Sequence, residues 1–210
     1  MDDLVKTVGR PAPLDRETIV RTALSLLDRE GMDGLSTRRL AAELGIKSAS
    51  LYWHFKDKGE LLSEMSGAMF KECLQPADPD NEAFDVFEWL ASFARAIRRV
   101  ALSRRDGAQV MSRAKTKTPQ ARAGLEANVK IIMRTGLSDM EARMALQTIR
   151  RYAIGAVMQE QSAPDGARNA GITVTTAESF EFGLQAILVG LHMRAGDRIE
   201  AKPPARKSRA

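Results

Sequence analysis

The stretch Ser36-Thr-Arg-Arg-Leu-Ala-Ala-Glu-Leu-Gly-Ile-Lys-Ser-Ala-Ser-Leu-Tyr-Trp-His-Phe-Lys-Asp-Lys58 decides the reading of this chain. Behind Ser36, a good N-cap, Leu40, Ala41 and Leu44 recur at helical spacing, and Gly45 is placed to end that helix in a left-handed turn. Ile46 plugs the corner. A third helix, from Lys47 or Ser48 to about His54, is too short to be stable alone and must be held by its neighbours. Helix, glycine turn and short helix fix two axes near a right angle, so the second can enter the major groove of DNA while the first crosses the backbone. Ser48, Ala49 and Ser50 are small enough to bring backbone close to base edges, where hydroxyls bond and a methyl touches thymine. Tyr52, Trp53, His54, Lys56 and Lys58 follow, with groups suited to phosphate contacts that position a protein without reading sequence. The plainer reading, a helical hairpin with Leu51, Tyr52, Trp53 and Phe55 as core, holds for Leu51 and Phe55. For the whole string, turn, caps, apolar spacing and polar face agree on DNA binding.

Working outward, every periodic segment reads as helix. A first helix starts behind Asp15, carries Ile19, Val20, Ala23, Leu24, Leu26 and Leu27, and stops at Gly31. Asp57-Lys-Gly-Glu60 is a capping box that opens a connecting helix toward Leu74, with Leu61, Leu62, Met65 and Met69 as its stripe. After a break at 76–81 come a helix from Glu82 to Leu102, a short one near Asp106 to Ser112, and one from Pro119 behind Thr118 to about Gly136. A second box, Ser138-Asp-Met-Glu141, starts a long helix to Gln161, and a third, Thr175 to Glu178, starts the last, which ends near Gly196. The expected fold is all-α, about nine helices, with a three-helix helix-turn-helix head ahead of a helical body. The divisions are an arm over 1–13, the head over 14–60 with its connecting helix over 57–74, a ligand-binding and dimerisation body over 75–196, and a disordered basic tail over 197–210.

Net charge is +5 in 210 residues, but bulk charge is a weak argument. Arg194, Arg198, Lys202, Arg206, Lys207 and Arg209 stand against only Asp197 and Glu200 in the tail, which accounts for most of the excess. The local excess is the useful one: Arg38, Arg39, Lys47, Lys56 and Lys58 against Glu43 and Asp57 within 36–58. A single cysteine, Cys73, and an acidic start leave no disulfide framework and no secretion signal, and no apolar run approaches the roughly 18 residues of a membrane span. The expectation is a cytoplasmic bacterial protein, nucleoid-associated when bound to DNA. Only His54 and His192 are present, with no glycine-rich phosphate loop, nucleophile motif or metal-ligand spacing, so neither an enzyme nor a bound cofactor or metal is expected. Cys73 beside Glu72, rather than beside a cation, reads as buried structure more than as a redox sensor.

From Leu14 to about Leu74 the chain resembles the DNA-binding domain of the TetR family, with Leu51-Tyr-Trp-His54 and Lys58 in the form of its tetracycline-binding members. Ser103-Arg-Arg-Asp-Gly-Ala-Gln-Val110 and Gly155-Ala-Val-Met-Gln159 extend the likeness, more weakly, into the body. The resemblance implies an all-helical homodimer whose heads hold double-stranded operator DNA, with Thr37 and Arg38 near the recognition helix, Arg38 as a guanine reader, and Tyr52, His54 and Lys58 on phosphates. Lys47, Ser48 and Ala49 replace an acid, an amide and a proline of those members, so a different operator is implied. In the effector pocket, Met111 and Gln159 stand where those members carry a histidine and a glutamate that help hold a magnesium–drug chelate. A thioether and an amide suit a hard cation poorly, which argues against magnesium-tetracycline. Phe93, Ile97, Asn128 and Arg151 complete the pocket candidates and imply a small, mainly apolar effector; simple core packing remains the alternative for each.

Dimerisation is expected on 138–161 and 175–195, which are apolar over too wide an arc for one neighbour, with burial inside the monomer as the alternative. The expected function is repression relieved by a ligand. Its rival is a sequence-tolerant DNA-packaging protein, which has no use for so large a body.

Overall fold

The computed structural model describes residues 14–73, 77, 81–113, 119–162 and 176–200, and in these it is helical throughout. The arm over 1–13, the cap residues Thr118 and Thr175, and the tail beyond Glu200 lie outside the described residues. The order is α1 (Arg16–Gly34), α2 (Thr37–Glu43), α3 (Ser48–Leu51), α4 (Lys58–Glu72), α5 (Val86–Leu102), α6 (Gly107–Met111), α7 (Pro119–Met133), α8 (Asp139–Ser162) and α9 (Thr176–Glu200).

The caps explain most boundaries. Asp15 accepts from Thr18 N at 2.7 Å, Ser36 from Arg39 N at 3.2 Å, and Asp57 from Glu60 N at 2.7 Å. Ser138 exchanges bonds with Glu141 in both directions, the reciprocal box its spacing predicts. The Asp57 box is modified: the Glu60 carboxylate reaches Lys56 N at 2.8 Å, one residue ahead of the cap. Gly31 breaks α1 at φ 73, ψ −175, and Gly45 turns the chain between α2 and α3 at φ 66. Three boundaries differ from expectation; α9 runs to Glu200 rather than ending near Gly196, so residues 197–200 of the expected disordered tail are helical. The fifth helix begins at Val86 rather than Glu82, because the Asp85 carboxylate accepts from Phe87 N and Glu88 N and so fixes the cap there. Past Leu51, α3 tightens: Tyr52, Trp53 and His54 each donate to the carbonyl three residues back.

One apolar core runs without interruption from head to body. In the head it gathers Leu24, Leu27, Leu40, Leu51 and Phe55; Leu61, Met65 and Met69 carry it along α4; and Leu90, Ile97, Met111, Ile132, Leu146 and Ile149 fill the body. Truncating any of these to alanine is expected to cost about 2–5 kcal/mol. Paired contacts fix the body's topology. Arg98 meets Glu160, and the Gln161 amide donates to the Ala101 and Arg104 carbonyls while accepting from Ala108 N, so α5 and α8 run parallel. Arg95 meets Glu181 and Phe87 meets His192, so α9 returns antiparallel to α5. Tyr152 stacks on Phe180 and donates to its carbonyl at 2.7 Å, fastening α9 to α8. That contact requires Gly183, where a Cβ would stand 2.3 Å from the Tyr152 hydroxyl.

Candidate functional site

The head turns a polar face outward. Leu40, Ala41, Leu51 and Phe55 point into the core, which leaves Arg38, Lys47, Ala49, Tyr52, Trp53 and Lys58 exposed and Thr37, Ser48, Ser50 and His54 half-buried. Trp53 is 90% exposed, an unusual position for an indole that finds no surface in the monomer. Arg38 makes no ion pair among the described residues, whereas neighbouring Arg39 is held by Glu30 at 2.8 Å. Lys58 Nζ donates to the Leu35 carbonyl at 2.6 Å, so one of its three donors is engaged. All ten DNA candidates therefore lie on the α2–α3 unit or at its edges, with none buried in the core.

Arg16 is a residue the sequence pattern did not single out. Its guanidinium lies 4.5 Å from the Phe55 ring centroid, donates to the His54 carbonyl, and pairs with Glu60 at 2.8 Å and Glu64 at 3.2 Å. It clamps the end of the recognition segment to α4. The Arg16 hydrogen bond also holds the Glu60 carboxyl below its ordinary range. A basic residue one place inside the first helix was the available signal, and only tertiary contact gives it meaning.

The pocket candidates differ in burial. Phe93, Ile97 and Met111 are buried, Asn128 is half-buried on α7, and Arg151 and Gln159 sit exposed on α8. A cavity of about 430 Å³ lies elsewhere, between the start of α5 and the end of α9, lined by Phe84, Phe87, Thr135 and His192 among others. On α8 the inward positions are instead Arg150, whose guanidinium lies 4.4 Å from the Phe70 ring centroid, and Glu160, which pairs with Arg98 at 2.8 Å. Among the described residues no cluster of His, Cys, Asp and Glu could hold a metal ion. None of the described helices is long and apolar enough to cross a membrane.

The last two helices present apolar surface on two sides. Phe180, Leu184, Leu188 and Ala195 of α9 face inward, while Phe182, Val189 and Met193 form an outer stripe with Phe182 79% exposed. On α8, Met140, Met144 and Met158 are exposed on the side opposite buried Ile149 and Ala153, alongside Arg151.

Comparison with known proteins agrees at every level. Residues 19–65 match the family model of bacterial regulatory proteins of the tetR family, and 78–175 match that of the tetracycline-repressor-like C-terminal domain. The class A tetracycline repressor protein from transposon 1721 of Escherichia coli is 34% identical over 86% of this chain and 92% of its own length. A substituted TetR from Acinetobacter baumannii AYE in complex with minocycline superposes with a TM-score of 0.75 at 29% identity, covering 87% of this chain and 98% of that one. BioQ with its double-stranded DNA operator gives 0.69 at 28%, covering 85% and 98%. With an all-helical fold, a head built on a glycine turn, and both family models matched in order, this chain belongs to the TetR family of transcription regulators.

Proposed function

We propose that this chain is a ligand-responsive transcriptional repressor that binds a palindromic operator as a homodimer and is released by a small, mainly apolar effector. The observation that carries the reading is a head with an outward polar face sharing one uninterrupted core with its body. A change of packing in the body therefore has a solid path, through α4, to the DNA face. Thr37, Arg38, Lys47, Ser48, Ala49 and Ser50 face base edges; Tyr52, Trp53, His54 and Lys58 face phosphates. The outer stripes of 138–161 and 175–195 form the isologous dimer contact, which sets two heads at the spacing of two half-sites. Head, connecting helix and body correspond to 14–60, 57–74 and 75–196. Arg151, exposed beside Met144 and Met158, falls on the dimer face in this scheme, and the effector lodges near Phe93, Ile97 and Met111.

The minocycline complex and the operator complex among the relatives support both partners in kind. The donors here do not suit the magnesium chelate. Met111 offers a buried thioether and Gln159 an exposed amide, which favours a different effector class. The test is binding of the purified protein to DNA upstream of its own gene at physiological salt with competitor DNA, repeated with a panel of apolar aromatic compounds. Saturable binding to a palindrome, released by one compound class, supports the reading. Salt-sensitive binding to any DNA, unmoved by every compound, overturns it in favour of a packaging role.

A further inference from the structure

A guanidinium stays charged at neutral pH, so drawing one out of water is unfavourable unless an anion or acceptor meets it. Three other part-buried arginines of the body meet carboxylates, although Arg104 Nε, like Arg150 Nε, is buried without an acceptor. Arg95 pairs with Glu88 and Glu181, Arg98 with Glu160, and Arg104 with Asp28 and Glu72. Arg150 does not. Its Nε is buried with no acceptor, and among the described residues no carboxylate pairs with it. Its neighbours are the Phe70 ring on α4, 4.4 Å away, and buried Cys73, whose thiol burial pushes up to about 12 and so keeps neutral. Burial correspondingly presses the Arg150 pKa below its ordinary value. Stacking on Phe70 recovers only part of the lost hydration.

A second buried donor without an acceptor belongs to α5. Trp89 Nε1 is also buried without an acceptor, and its ring stacks on Phe93 with centroids 6.2 Å apart and planes 7° from parallel. Half-buried Arg150 thus offers a cationic donor against the half-buried Phe70 ring of α4, with no anion of the fold to meet it. We propose that the effector is an anion, an aromatic carboxylate whose oxygens take the Arg150 guanidinium and whose ring packs against Phe70. The inference rests on the ligand-responsive reading and specifies its ligand. It also states how the ligand acts: Phe70 belongs to α4, so an anion that draws Arg150 toward itself loosens the contact between α8 and the helix leading to the DNA head.

The experiment uses the full-length chain and three acid–ester pairs: benzoate, 2-naphthoate and 2-anthroate, each against its methyl ester. Calorimetry and thermal shift measure binding to wild type, Arg150→Gln and Arg150→Lys. The expected result is that at least one acid binds wild type about tenfold or more tightly than its ester, as a charge-assisted bond requires. Arg150→Gln should bring the two affinities together without weakening the ester, and Arg150→Lys should restore part of the preference. Esters binding as well as acids, no acid binding at all, or a preference that survives Arg150→Gln would each overturn the proposal. The wild-type acid–ester comparison stands even where a variant misfolds. Operator binding measured in parallel keeps the two claims apart: specific DNA binding released only by neutral compounds sinks the anion and spares the repressor, whereas absent specific binding sinks the repressor itself.

Discussion

Asp106 Oδ2 accepts a hydrogen bond from the Met32 backbone N–H at 2.7 Å, joining the α5–α6 corner of the body to the end of the head's first helix. The bond exists because Gly31 leaves the helical region and frees the next N–H. Asp106 itself stands at φ 53, a left-handed conformation that Asp and Asn tolerate better than other side chains. Asp106→Ala should lose about 1–3 kcal/mol of unfolding free energy by stranding the Met32 donor, and Asp106→Asn should lose less because its amide oxygen can still accept. Urea unfolding measures both. Operator release by effector should weaken in the alanine variant if this corner transmits the change.

Arg38 and Arg39 are adjacent and of equal charge, yet only Arg39 is committed, to Glu30. Arg38→Ala should cost about 1–3 kcal/mol in operator binding and relax base preference at one position. Arg39→Ala should leave that preference intact. A base-substituted operator series, titrated at fixed salt, separates the two.

The Arg98–Glu160 pair is bidentate and mostly covered, with side-chain exposures of 21% and 13%. Glu160→Ala should destabilise by about 2–3 kcal/mol because Arg98 is left partly buried without its anion. Glu126→Ala, which breaks an exposed pair with Arg143, should leave the melting curve unchanged. Equal effects would refute the argument from burial.

Much of this was legible in the sequence, and the reasons are local. Ser36, Gly45, Asp57 and Ser138 act through bonds to residues three places away, so their roles can be read from spacing. The apolar period, continued by Phe84, points to an earlier start for α5 than the Asp85 carboxylate allows. The effector site was the least legible part. Linear resemblance points to Arg151 and Gln159, which are exposed in the single chain, whereas Arg150 and Glu160 turn inward. One residue is a rotation of about 100° on a helix, and α8 is apolar on two sides, so its pattern alone cannot say which side is in.

Phe182 and Val189 should hold the dimer. Phe182→Asp or Val189→Asp is expected to give a folded monomer by light scattering, with unchanged helicity and operator affinity lowered by orders of magnitude as the second half-site contact is lost.

Cys73 sets a limit on alkaline stability. Its thiol titrates near 9 when exposed and near 12 in the fold, because burial opposes the thiolate. The stabilisation is complete below pH 9 and is lost as the pH climbs toward 12, since the unfolded chain releases its proton first. At pH 8 a thiol reagent should therefore react with Cys73 only at the rate of unfolding and rapidly in denaturant; fast reaction of the native protein would contradict its burial.

The Tyr152–Gly183 contact reaches beyond packing. With the phenol seated where any larger residue would collide, its bond to the Phe180 carbonyl opposes both lifting α9 from α8 and rolling it about its own axis. The angle between its inner and outer stripes thereby becomes a fixed angle between protomer and partner. In the proposed dimer, the number of base pairs separating two half-sites is decided by that angle. A half-buried tyrosine at the seam of α8 and α9 would then choose the length of the operator, while the head chooses its letters.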